Sequence, residues 1–348
     1  MTDLHVQQDQ TITKGSSTGG EQLLAFDTST SSMTVALLTG THLAAERQEV
    51  AERNHSIQLF PLVESALQAC ELAPEQIDAY GVGIGPGSYT GVRIAVTAAK
   101  TMAWALAKPV VGVSSLAALA LGAVHGTDGE QTAIPLASGE TVWIVPLVNA
   151  RRGQAFTALF AAKLQEGDAA DVVAGVTGAA RGQGDDQDAE VALDSQASAQ
   201  GAAADGLVSD GITAQELADD GLAAALFDAV SFSRLSPDAV RLLETWVEDL
   251  LALIAEADEP PAGIAFVGEP VGFEPWLDAF AARWTQGRVW VQPLLIRAYH
   301  IGRLALNRLH TAGAAAAMAA SVHDLVPNYA QLAEAEVNLL AKRREEAR

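Results

Sequence analysis

With 348 residues and 49% hydrophobic side chains, the chain has room for two domains with a sizeable core. Its net charge of −22, from 21 basic against 43 acidic residues, excludes the clustered Lys and Arg that a direct and dominant nucleic-acid binder needs. Cys70 is the single cysteine, which excludes a disulfide framework and any multi-cysteine zinc site, and no apolar run reaches the roughly 18 residues of a membrane span. A cytoplasmic protein with no membrane contact is expected.

Residues 1–20 have no apolar leader segment and read as a disordered tail. A three-stranded meander follows: LLAFD, a turn at Thr28 to Ser32, MTVALLT, a turn at Gly40, and HLAAERQEV. Asn54 or Ser56 can cap a helix that runs to Glu71, with Ile57, Phe60, Val63, Leu67 and Cys70 at helical spacing. A strand near Ala79–Ile84 leads into the stretch GIGPGSYTGVRIAVTAAKTMAWALA, residues 83–107. Gly85, Pro86, Gly87 and Ser88 turn the chain sharply, and a helix runs from about Thr90 to the break at Pro109. That helix carries one narrow polar stripe, Arg93, Thr97, Lys100 and Thr101. The rest of it is apolar or small, so it needs cover on more than one side, from its own sheet and from either more of this chain or a second chain. VVGVSS is a further strand and LAALALGAV a further helix. Meander, helix, strand, helix, strand is the order of a ribonuclease-H-like α/β unit.

A second unit, residues 121–320, opens with a hairpin pattern, TVWIVPLVNA and QAFTALFA around Arg151–Arg152–Gly153, and so repeats the opening move of the first, residues 21–120. From Gln165 to Gly211 there are ten acidic residues, one basic residue and no aromatic, a composition that buries too little apolar area to offset chain entropy and reads as a disordered insertion. Leu235–Glu256 reads as a helix, GIAFVG as a strand, Glu274–Trp284 as a helix, RVWVQP as a strand, Leu294–His310 as a helix, and residues 321–348 as a final helix or tail.

The candidate chemistry is sparse. Gly83, Gly85 and Ser88 miss the dinucleotide fingerprint at its third glycine, and the next strand ends in no acid for a ribose. Asp27, Thr28 and Ser29 after the first strand, with Gly85, Gly87 and Ser88, are candidates for a vestigial phosphate loop; the other reading is that Asp27 and the hydroxyls cap a turn. GIAFVGEPVGF offers Gly268 but no glycine run for a second phosphate loop. The seven histidines form no close pair in sequence, and His55 has no orienting acid.

LLAFDTSTSSMTVALL, RNHSIQLFPLVESAL, GIGPGSYTGVRIAVTAAKTMAWALAKPVVGVSSLAAL and NARRGQAFTALF resemble the TsaB family, also called YeaZ, nearly continuously from Leu23 to Leu119. Asn149 stands where the family usually has Asp, and the tail pattern P-x-Y-L-R reads Pro327-Asn328-Tyr329-Ala330-Gln331. The resemblance implies an actin-like (ASKHA) two-lobed α/β fold with mixed sheets. It implies partnership with the related catalytic subunit TsaD and the ATPase TsaE, in moving a threonylcarbamoyl group from its adenylate to the adenosine 3′ of the anticodon in ANN-reading tRNAs. The two metal-binding histidines of TsaD-like proteins fall here on Ser115 and Leu119, of which serine is a poor ligand and leucine none. The chain is therefore expected to be a non-catalytic partner with no metal and no cofactor of its own, contacting tRNA only indirectly. The competing reading is an actin-like ATPase or kinase, or a glycoprotease-like peptidase, active by itself.

Ala95, Ala98, Ala99 and Met102 share one helix face on which another helix can approach closely. With Ile57 and Phe60 of the neighbouring helix they are expected to form the surface used for the catalytic partner and, in its absence, for a homodimer.

Overall fold

The computed structural model describes residues 20–50, 55–126, 133–165, 225–227, 229–312 and 322–330. The expected N-terminal tail, the acidic insertion beyond Gln165 and the chain after Ala330 lie outside the described residues.

Strand alternation decides the layering. Leu23 and Ala25 of β1 (Gln22–Asp27) point into one core, whereas Leu24 and Phe26 point into another, as a period of two requires. β1 pairs antiparallel with β2 (Ser32–Thr39), which pairs with β3 (His42–Val50); β4 (Ala79–Gly83) and β5 (Val110–Val113) add in parallel. The order β3-β2-β1-β4-β5 is that of a ribonuclease-H-like unit. The second sheet comprises β6 (Thr141–Arg151), β7 (Gln154–Leu164), β8 (Ala225–Phe227), β9 (Val230–Leu242), β10 (Gly263–Gly268) and β11 (Arg288–Pro293). Its order is β11-β10-β6-β7-β9-β8. Without the short edge strand β8 the two sheets have one topology: β6 corresponds to β1, and the β6–β7 hairpin to the β1–β2 turn.

Six helices of the described residues cover the sheets. α1 (His55–Ala69) and α2 (Tyr89–Leu106) lie on the outer face of the first, with Leu59, Val63, Ala95 and Ala99 against Phe26 and Val35. α4 (Leu243–Glu256) and α5 (Glu274–Arg283) cover the outer face of the second, with Trp246, Leu250 and Phe280 against Phe266. Between the sheets sit α3 (Ser115–Val124) and α6 (Ala298–Ala312). The division expected at residue 120 does not follow this packing. α3, which follows the first sheet, packs mainly on the second, and α6, which follows the second, packs on the first. The first sheet also grips the start of α6. Thr34 Oγ1 accepts from the Ala298 amide (3.0 Å), and Glu46 accepts from the Tyr299 amide (3.1 Å) and from Arg297 (2.5 Å). These bonds satisfy amides that a helix start leaves without intrahelical partners.

One expected helix changes, and the final helix or tail takes its non-helical form over the described residues. Residues 235–242 are not helical but complete β9, paired to β7. Pro237 and Asp238 fall in a bulge between the pairs Leu159–Ser236 and Thr157–Ala239, the place where a residue without an N–H fits a ladder. Residues 322–330 are not helical either. They run along α2: Val322 and Leu325 pack into the outer core, Lys100 Nζ donates to the carbonyls of His323 (3.0 Å) and Leu325 (2.8 Å), and the Asn328 amide donates to Ile84 O (2.7 Å). Part of the second cover that α2 requires comes from this chain.

Candidate functional site

The Asp27 turn and the Gly85–Ser88 turn meet at the ends of β1 and β4 and satisfy each other. Asp27 is fully buried. Its Oδ1 accepts from the amide and the hydroxyl of Ser29, both at 2.7 Å, and its Oδ2 accepts from Ser115 Oγ at 2.5 Å. Ser115 Oγ in turn accepts from the Gly85 amide (3.0 Å). Thr28 Oγ1 donates to Gly91 O (2.6 Å), and the Ser88 amide donates to Ser29 O (2.6 Å) while Ser88 Oγ caps α2 by accepting from the Gly91 amide. The approach is close enough that a Cβ on Gly87 would stand 2.2 Å from Ser29 O, so glycine is required there. Amides that would cradle a phosphate are thus bonded within the chain. Of the two readings of Asp27, Thr28 and Ser29, turn capping is the one these bonds support.

The positions matching metal-binding histidines do not fit a metal. Ser115 Oγ is engaged by Asp27 and Gly85 as above. Leu119 is buried, and its Cδ2 lies 2.8 Å from where Gly268 would carry a Cβ, so it packs against the end of β10. Gly268 itself has φ of +114°, and a Cβ there would stand 2.4 Å from Leu147 O. Apolar packing fills the place, and the donor set offers one hydroxyl and no imidazole or carboxylate free to coordinate. Among the described residues no three His, Cys, Asp or Glu are grouped as a metal site would need.

One open feature of the first lobe is a groove of about 580 Å³ between α1 and α2, lined by Leu59, Phe60, Tyr89, Arg93, Ile94 and Ala98 among others. Phe60 of this lining is 53% exposed, and Ile57 (71%) and Trp104 (70%) are exposed on the same two helices. This revises the expected surface. Ala95 and Ala99 are fully buried against the sheet and belong to the core, Ala98 is 6% exposed on the groove floor, and Met102 is half-buried. The face of α2 that is open carries Tyr89, Arg93, Thr97, Thr101 and Trp104 instead. Tyr89 stacks near Tyr329 (ring centroids 5.1 Å), and Arg93 Nε donates to the Tyr329 hydroxyl (2.7 Å), so the 322–330 segment frames one end of the groove.

A second polar cluster was not visible in the sequence. His125 and His300, 175 residues apart, meet between the sheets with ring centroids 5.9 Å apart. His300 Nε2 bonds the His125 carbonyl (2.8 Å), and Arg303 Nη1 contacts both His125 Nε2 (3.3 Å) and the Tyr299 hydroxyl (2.8 Å). Burial, first, and the nearby His125 push the His300 pKa down to about 3, so the ring is neutral. Because Nε2 donates to a carbonyl, Nδ1 is left as a bare acceptor, and it has no partner among the described residues.

Comparison with known proteins agrees with the topology. The family model described as "TsaD: tRNA N6-adenosine threonylcarbamoyltransferase" matches residues 46–258. The tRNA threonylcarbamoyladenosine biosynthesis protein TsaB of Bacillus subtilis (strain 168) is 42% identical over 138 residues, 40% of this chain and 54% of that protein. Its namesake from Escherichia coli (strain K12) is 35% identical over 124 residues, 35% of this chain and 53% of that protein. The chain therefore spans about half the length of the curated relatives it matches. The solved structure of YeaZ from Pseudomonas aeruginosa superimposes with a TM-score of 0.51 at 20% identity, covering 89% of this chain and 99% of that one, so the two share the two-lobed α/β fold. No helix among the described residues is long and apolar enough to cross a membrane. The doubled topology and these matches converge: the chain belongs to the family that the TsaD model describes, and it is similar to the TsaB proteins over about half of their length.

Proposed function

We propose that this chain is a non-catalytic subunit of a tRNA-modifying assembly. It would act with a TsaD-like catalytic subunit and a TsaE-like ATPase in forming threonylcarbamoyladenosine 3′ of the anticodon; its TsaB relatives are named for tRNA threonylcarbamoyladenosine biosynthesis, which supports this reading. The observation that carries the reading is the bond between Ser115 and Asp27, which engages within the chain the carboxylate offered as a candidate for a vestigial phosphate loop. A chain whose candidate carboxylate is bonded internally, and which has an exposed apolar groove between two helices, has the make-up of a partner rather than an enzyme. Ile57, Phe60 and Trp104 are the anchors we assign to the TsaD-like subunit, with Ala98 as the groove floor. The same surface would serve a homodimer when that subunit is absent.

Reconstitution tests the reading. A TsaD-like and a TsaE-like protein, with threonylcarbamoyl adenylate and an ANN-reading tRNA, are assayed for the modified nucleoside with and without this chain. Product only in its presence, and no ATP turnover by the chain alone, is expected. Undiminished product in its absence, or steady ATP hydrolysis by the chain alone that is lost on Asp27→Ala, overturns the reading.

A further inference from the structure

The β6–β7 hairpin turns at Arg152–Gly153, with φ of +53° and +74°, and Arg151 before it has φ of +70°. A two-residue turn of this kind asks for Asn or Gly at its first position. Two adjacent arginines instead occupy the left-handed region, which disfavours a long side chain. Both are exposed. The other nine arginines of the described residues each have a side-chain partner. Arg283 pairs with Glu248, Arg288 with Glu140, Arg234 with Asp238 and Arg297 with Glu46; Arg47, Arg93, Arg241, Arg303 and Arg308 bond hydroxyls, carbonyls or a ring nitrogen. Among the described residues, Arg151 and Arg152 alone of the arginines have no side-chain bond. In a chain of net charge −22, two unspent guanidinium groups side by side are conspicuous.

Their setting adds a second property. Gly153 lies against the ring of Trp276 (a Cβ there would be 3.6 Å from it) and against Leu242, which is 42% exposed. Glu269, a carboxylate bonded to this hairpin, accepts from the Asn149 amide (2.8 Å). The tip thus carries two exposed arginines next to a glycine that lies against a partly exposed aromatic, on the hairpin that corresponds in topology to the Asp27 turn of the first lobe. Guanidinium forks match phosphate oxygens, and unpaired RNA bases stack on aromatic and guanidinium planes.

We propose that Arg151 and Arg152 contact the phosphate backbone of the RNA substrate, with Trp276 and Leu242 as the apolar shelf beside it. The proposal rests on the function proposed above. It fits the acidic composition, which rules out a broad basic face but not a two-residue contact.

The test is binding of a fluorescently labelled, ANN-reading tRNA to the chain alone and to its reconstituted complex, over a series of salt concentrations. The variants are the double substitution Arg151→Gln with Arg152→Gln and, as a control that relaxes the turn and removes one charge, Arg152→Gly. Loss of two phosphate contacts to a single-stranded segment should reduce the slope of log affinity against log salt by roughly 1.4 in the double variant and about half that in the control. Capture of the TsaD-like subunit should be unchanged. An unchanged salt slope overturns the proposal. So does loss of subunit capture at an unchanged slope, which would reassign the pair to an acidic protein surface. If the chain does not capture that subunit at all, the functional reading has failed separately. The chain alone with tRNA then decides: Arg-dependent binding supports the contact and its absence overturns it.

Discussion

Ser115 donates its hydroxyl proton to Asp27 Oδ2 across 2.5 Å, joining the end of β1 to the start of α3 in the buried centre of the molecule. The bond is charge-assisted on the acceptor side. Ser115→Ala should cost roughly 1.5–3 kcal/mol, the range for a hydrogen bond to a charged group. Urea denaturation of the two proteins checks this; a loss below about 0.5 kcal/mol would mean that water replaces the hydroxyl.

Phe60 and Ala99 separate the two faces of the outer helix layer. Phe60→Asp should weaken capture of the TsaD-like subunit by about 30-fold or more, as for a central aromatic anchor, with folding stability changed by no more than about 0.5 kcal/mol. Ala99→Glu should instead destabilise the monomer by roughly 3–5 kcal/mol, because it buries an unpaired charge against Phe26 and the sheet. Sedimentation, pull-down and circular dichroism on both variants distinguish the two outcomes.

His300 should make the fold acid-sensitive in a defined window. Its unfolded pKa of 6.5 falls to about 3 in the folded state, so between those values the unfolded chain holds the extra proton. This contribution is fully present above pH 6.5 and is lost as the pH falls toward 3, at about 1.4 kcal/mol per unit. His300→Gln removes the titration. Stability of the two proteins measured from pH 7.5 to 5 should show a steeper decline in the parent; parallel curves would show that the ring is more solvated than its burial implies.

Arg152→Gly should stabilise the isolated chain by about 1 kcal/mol, since glycine enters the left-handed region without a Cβ clash. Thermal or urea unfolding measures it. A destabilised variant would mean that the Arg152 side chain packs on the hairpin and holds it.

The first lobe was legible because its signals are local: the alternation in LLAFD, the glycine-rich turn and the serine caps each act over a few residues. The groove was legible only in part. Helical spacing identifies Ala95, Ala98, Ala99 and Met102 as one face, but periodicity does not say whether a sheet or another chain meets that face, and here the sheet does. Residues 235–242 misled because their propensity is helical while the β7 edge offers ladder bonds, and tertiary pairing outweighed local preference. His125 with His300 had no sequence signal, since only the crossing of α6 onto the first sheet brings them together.

That crossing has a consequence for how the protein is made. The first sheet is complete at Val113, yet its inner face is covered by α6, which begins at Ala298, and the cover on α2 begins only at Val322. At 5–20 residues per second a ribosome needs roughly 10 to 40 s to travel from one to the other. Throughout that interval the emerging sheet presents Leu23, Ala25, Ala36 and Leu38 without their helix. A fragment ending after α3 should therefore aggregate rather than fold, and a nonsense codon anywhere before α6 removes both lobes and not merely the second.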